Sequence, residues 1–161
     1  MNHEPASPVC YASQGDDVYM GYAGRDEIAA ALNALLEAER AGAQVTLESA
    51  RATNDPAMIA LIKAVHVDEA KWCGMLSAQI KRIGVLPSTH CGAFYEKAMA
   101  IADPHERLAF LNRGQAWVVR TLEELLPRVR DDILHVALNE MRASHVENIR
   151  LTQQCISETK T

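Results

Sequence analysis

The chain has 161 residues, 48% of them apolar and 23% charged, and carries a net charge of −5. That length suits one domain with a real core, and the composition is that of an ordinary globular chain. The acidic balance and the absence of a Lys/Arg run argue against a nucleic-acid surface, and no apolar stretch approaches the ~18–20 residues of a membrane span.

Residues 1–24 contain two prolines, three glycines and no helical period, and read as an arm pinned down by Tyr11, Tyr19 and Tyr22. The N-terminus has neither a basic start nor an apolar segment, and the four cysteines lie far apart, so the expected setting is cytoplasmic, with reduced thiols. Asp26 is placed to cap a first long helix running to about Thr53. Asp55-Pro56 supplies a cap and a first-turn proline for a second helix, which Gly84 and Pro87 end after about Ile83. A short helix fits between about Gly92 and Ala102. Asp103-Pro104 repeats the start signal, and a third long helix runs to Leu126 before Pro127. A fourth begins between Arg128 and Asp132 and continues to about Cys155, so the helical domain spans 25–157 and residues 158–161 form a tail.

The connections set the expected topology. Helices one and two, and helices three and four, are joined so tightly that each pair must run antiparallel. About twenty residues separate the second helix from the third. At ~1.5 Å per helical residue and ~3.3 Å per extended one, that connection can cross the length of a bundle. The expected fold is therefore all-α: two helical hairpins joined by one long crossover that carries a short helix.

Advancing ~100° per residue shows what each helix buries. Glu39 lies near the centre of the first helix's stripe of Leu32, Leu35, Leu36, Ala43, Thr46, Leu47 and Ala50, whereas Glu37 and Glu48 point toward solvent. Glu69 lies near the centre of the second stripe, with His66 one turn earlier on its flank. An unpaired buried carboxylate costs several kcal/mol, so each needs a metal, a cation or a shared proton. The fourth helix offers two stripes. One contains Glu140; the other, Leu134, Leu138, Met141, His145 and Ile149, is the more apolar and favours His145 as the inward residue. On the third helix, Gln115 lies near the centre of the Leu108, Leu111, Leu122 and Leu126 stripe.

Long helices in two hairpins with inward glutamates resemble the ferritin-like superfamily, which includes ferritins, rubrerythrins and other di-iron or di-manganese carboxylate proteins. The segments LLEAERAG, DEAKWCGML, GAFYEKAMAIAD and FLNRGQAWVVR are similar to an uncharacterised bacterial branch of it. The resemblance covers roughly residues 26–155 and implies a four-helix bundle with a metal site in its centre. The superfamily's motif is a Glu from each of two helices plus Glu-x-x-His from each of the other two. This chain has no Glu-x-x-His: Trp72 stands where a histidine would follow Glu69, and Arg142 where a glutamate would precede His145. Glu39, Glu69 and His145 match, with His66 as a reversed His-x-x-Glu partner and Glu140 as a further candidate. Such a set suits one iron or manganese ion rather than two, and redox chemistry on oxygen or peroxide. The alternative is a metal-free bundle acting as a dimerisation or protein-interaction module, its carboxylates paired with Arg113, Arg120 or Arg142. Phe110 and Trp117, opposite the third helix's core stripe, mark a face for a homodimer or a protein partner.

Overall fold

In the computed structural model residues 17–158 are described, and among them there is no strand. From Arg25 onward the elements are α1 (Arg25–Arg51), α2 (Pro56–Arg82), α3 (Phe94–Met99), α4 (Pro104–Leu125), a 3-10 turn (Leu126–Arg128) and α5 (Asp132–Glu158). Helix α1 packs along α2 and α4 along α5; α1 also meets α4, and α2 meets α5, so each long helix has two long neighbours. None of the described helices is long and apolar enough to cross a membrane.

The helix starts follow local chemistry. Asp55 accepts the amide N–H groups of Ala57 at 2.9 Å and Met58 at 3.4 Å, Asp103 that of Glu106 at 2.8 Å, and Asp131 that of Leu134 at 2.9 Å. The first helix departs from expectation. Its N-cap is Gly24, with no side-chain cap, and Asp26 sits in the first turn, where its charge complements the helix dipole. Entry into α1 is set instead by the Ala23 amide, which donates to the Arg128 carbonyl at 2.8 Å, and by burial of Ala23 itself. Tyr19 does not pin the arm, being 90% exposed, and Tyr11 lies outside the described residues. At the same end of the hairpin, where Arg25 donates to the Ile83 carbonyl at 2.8 Å, Gly84 (φ 78°) takes the left-handed conformation that closes α2, and the Val85 amide returns to the Ile80 carbonyl at 3.1 Å.

Two apolar clusters form the interior. One gathers Leu32, Leu35, Leu36, Trp72, Leu76, Ile80, Val118, Leu122, Leu134, Leu138 and Met141; the other gathers Val45, Met58, Ile62, Val65, Ala98, Leu108 and Leu111. Each fully buried Leu or Ile contributes about 1.5–3 kcal/mol of transfer free energy.

The crossover is strapped to α1 by polar side chains one helical turn apart. Arg40 donates to the carbonyls of His90 at 2.5 Å and Ser88 at 2.9 Å, Asn33 accepts the Ser88 amide at 2.7 Å, and Glu37 accepts the Ser88 hydroxyl at 2.5 Å. Glu37 is therefore not a merely solvated residue, contrary to its placement by helical phase. The extended stretch before α3 has no strand partner, so these bonds satisfy backbone groups that would otherwise float. Arg40→Ala should destabilise the fold by about 1–3 kcal/mol in chemical denaturation, and amides of residues 85–93 should exchange faster while those of α4 and α5 do not change.

Candidate functional site

Between the two apolar clusters lies a polar layer to which every long helix contributes one side chain. Along α1, Glu39 falls between Leu36 and Val45; along α2, Glu69 falls between Val65 and Trp72; along α4, Gln115 falls between Leu111 and Val118; and α5 adds His145 after Met141. All four are buried, with exposures of 1% for Glu39, 2% for Glu69, 4% for Gln115 and 0% for His145.

Each carboxylate spends one oxygen on a supporting side chain. His145 Nδ1 lies 2.9 Å from the Met141 carbonyl, which can only accept, so Nδ1 carries a proton. His145 Nε2 then faces Glu39 Oε1 at 3.0 Å with one proton between them. Burial works against a charged His145, but its bond to Glu39 and the Glu39 charge outweigh that and hold its pKa above the ordinary 6.5. Gln115 Nε2 donates to Glu69 Oε1 at 2.5 Å. Burial first, and then the charge of Glu39, push Glu69 well above the ordinary carboxylate range; the Gln115 bond opposes this only in part. His145 and Glu39 thus share one proton across their contact, and beside them burial favours the protonated form of Glu69.

Three oxygens remain without a partner: Glu39 Oε2, Glu69 Oε2 and Gln115 Oε1. All three residues line a cavity of about 290 Å³, walled by Ala38, Leu111, Val118 and Phe94. It reaches the surface at Ala34, Ala93 and Trp117, the last 41% exposed. Gly42, one turn after Glu39, makes room for Glu69. A methyl group there would lie 2.5 Å from Glu69 Oε1 and 2.6 Å from Oε2. Only a residue without Cβ lets the carboxyl group lie against the α1 backbone. A glycine inside a helix costs about 1 kcal/mol relative to alanine, and Gly42 offsets that cost by seating an acid. The readable signal was a lone glycine in mid-helix three residues after an inward glutamate.

The structure brings Glu39, Glu69 and His145 together. It does not bring His66 or Glu140 to them. His66 Nδ1 lies 2.8 Å from the Ala43 carbonyl and 3.0 Å from the Thr46 hydroxyl, on the outer flank of the α1–α2 pair. Glu140 is exposed, because it lies five residues, ~140°, from the inward His145. Its stripe faces out with it: Ile133 is 64% and Val136 58% exposed. Among the described residues no three His, Cys, Asp or Glu side chains stand grouped as metal ligands. Nor, among them, does an arginine answer either acid: Arg142 pairs with Glu123 at 3.4 Å, Arg113 lies over Phe110, and Arg120 is exposed. The guanidinium pairing expected for a metal-free core is corrected accordingly. Imidazole and amide take that place, because His145 and Gln115 occupy the inward positions of α5 and α4. Trp72 fills its inward position with apolar bulk and donates to the Ser144 hydroxyl at 3.4 Å. Phe110 is stacked on Phe94, ring centroids 4.9 Å apart, so the crossover covers it and Trp117 alone of that pair is exposed.

Two tests follow from this geometry. Gly42→Ala should keep the fold, with unchanged helical circular dichroism and stability within about 1–2 kcal/mol, yet evict the Glu69 carboxyl; carboxyl-carbon NMR should then show Glu69 titrating near its ordinary 4.5. The second concerns pH. Glu69 and His145 both hold protons more tightly folded than unfolded, so their contribution is complete below the unfolded values, 4.5 and 6.5, and is lost as pH rises through the folded ones. Metal-free protein should therefore be more stable near pH 5–6 than near pH 9, falling by up to about 1.4 kcal/mol per pH unit for each proton released. Glu69→Gln, which keeps an amide acceptor for Gln115, should remove the Glu69 part of that slope and leave the His145 part, without destabilising the fold.

Neither the curated proteins nor the solved structures contain a match to the chain. One family model does match it, over residues 26–154, which takes in nearly all of the four long helices, the crossover and every residue of the polar layer. The chain accordingly belongs to the family described as Domain of unknown function (DUF6306).

Proposed function

We propose that the chain is a ferritin-like four-helix bundle that binds one manganese or iron ion between Glu39 and Glu69. The observation carrying this reading is the pair of buried carboxylate oxygens, Glu39 Oε2 and Glu69 Oε2, left without partners at a cavity. The donor set suits such an ion. Two carboxylates match a divalent charge, hard oxygens favour manganese or ferrous iron, and Gly42 leaves the space that Glu69 needs. Each carboxylate's second oxygen is held by an orienting group, His145 on Glu39 and Gln115 on Glu69, the arrangement that tunes metal-ligating carboxylates. His145 Nε2 is the one ring nitrogen that could join the ligands, since Nδ1 is committed to Met141. When bound, such an ion supplies redox chemistry on oxygen or peroxide.

Elemental analysis after reconstitution with manganese or ferrous iron tests this. The expected result is about one ion per chain, lost in Glu69→Gln, with affinity rising with pH as the Glu69 proton is displaced. Protein that stays metal-free at several equivalents of both ions overturns the reading.

A second reading has its own support. His145 and Gln115 already answer the two acids, so the core stands without metal, and the exposed Ile133 and Val136 on α5 give such a bundle an apolar strip for a homodimer in a cytoplasmic setting. A metal-free chain whose solution mass halves on Ile133→Glu would favour it.

A further inference from the structure

The cavity beside the two acids is larger than an ion requires. At the ~30 Å³ that each water occupies in the liquid, about 290 Å³ holds roughly ten non-hydrogen atoms. Ala38, Leu111, Val118 and the Phe94 ring line it and offer water little to bond to. Glu39, Glu69 and Gln115 line it as well, and each leaves one buried oxygen without a partner. Which oxygen is left is fixed by the bonds already made. Glu39 Oε1 faces His145 and Glu69 Oε1 accepts from Gln115 Nε2, so Glu39 Oε2, Glu69 Oε2 and Gln115 Oε1 remain. A buried acceptor costs free energy until something donates to it.

From this we infer that the cavity is a binding site for a small primary amine, its nitrogen among Glu39 Oε2, Glu69 Oε2 and Gln115 Oε1 and its apolar body along Ala38, Leu111, Val118 and Phe94. The head group follows from counting hydrogens. An ammonium carries three N–H donors, one for each oxygen. The match does not depend on where the proton sits before binding. Gln115 occupies Glu69 Oε1, so a proton on Glu69 lies at Oε2, and the lone pair of a neutral amine takes it up there. The bound state then has the same atoms and the same three contacts as when an ammonium meets the ionised acid. A hydroxyl donates once and leaves at least one oxygen orphaned in either case. A quaternary ammonium brings charge but no donor. The entrance admits a small molecule because Ala34 and Ala93 carry only methyl groups there, and because Gly114 lets Phe94 lie close: a Cβ on Gly114 would sit 2.8 Å from the ring. An ion between Glu39 and Glu69 would take two of the same oxygens, so amine and ion are alternative occupants, and the amine site needs no metal.

Calorimetry on chelator-stripped protein at neutral pH tests the inference. Cyclohexylamine should bind one per chain, at least about tenfold more tightly than cyclohexanol, the ratio that one further charge-assisted hydrogen bond supports. N,N-dimethylpyrrolidinium has as many non-hydrogen atoms and the same charge but no N–H, and should give no heat. Ala34→Trp, a change at an exposed position of the entrance, should abolish amine binding with an unchanged melting temperature. Equal binding of amine and alcohol, a quaternary ion that binds as tightly as the amine, or binding that survives Ala34→Trp each overturns the proposal. So does the absence of heat from cyclohexylamine at about 10 mM, where a fragment of this size should register. Metal content plays no part in these outcomes, so the amine site and the metal site can fail separately.

Discussion

Two carboxylic acids in an oily interior impose the constraint around which this molecule is arranged. Glu39 and Glu69 come from neighbouring helices, and burying either as an unsupported anion would cost several kcal/mol. The remedy is distributed over all four long helices. His145 on α5 faces one acid, Gln115 on α4 donates to the other, and Gly42 on α1 yields its side chain so that Glu69 has somewhere to lie. Among the described residues no arginine takes part. Burial and the Glu39 charge favour the protonated form of Glu69, and the layer's three unpartnered oxygens are what remains for chemistry.

The position of that layer matters as much as its composition. Apolar clusters lie on both sides, so the polar groups interrupt a core that could have been continuous. Replacing a buried polar group by a well-packed apolar one is often neutral or stabilising. A glycine in mid-helix, an amide at a core position and two inward acids are all choices against stability, and together they keep a cavity open. Local rules broken in concert at one place are the usual mark of a site.

The crossover supplies the outer wall of that cavity. Its path depends on hydrogen bonds that Arg40 donates and that Asn33 and Glu37 accept, which hold Ser88 and His90 against α1, and on the stack of Phe94 over Phe110. Gly114 permits the stack to lie close. The segment that joins the hairpins thus also shapes the entrance, which couples topology to access.

The sequence by itself determined the helices and their order, because Asp-Pro starts, Gly84 and the apolar period act within a few residues of chain. It also determined that Glu39 and Glu69 turn inward, since helical phase is local geometry, and it favoured His145 over Glu140 as the inward residue, a choice between two stripes that the packing of α5 decided. What answers each acid was decided only by tertiary structure. The reach of His145 to Glu39 spans 106 residues and that of Gln115 to Glu69 spans 46, and neither spacing leaves a periodic trace. The same holds for Gly42, whose missing methyl has meaning only once α2 lies against it, and for Glu37, which phase assigned to solvent until the crossover passed over it. The start of α1 was read one step wrong for a related reason: Asp26 fits a cap by composition, but a hydrogen bond between Ala23 and Arg128, distant in the chain, fixed where the helix begins.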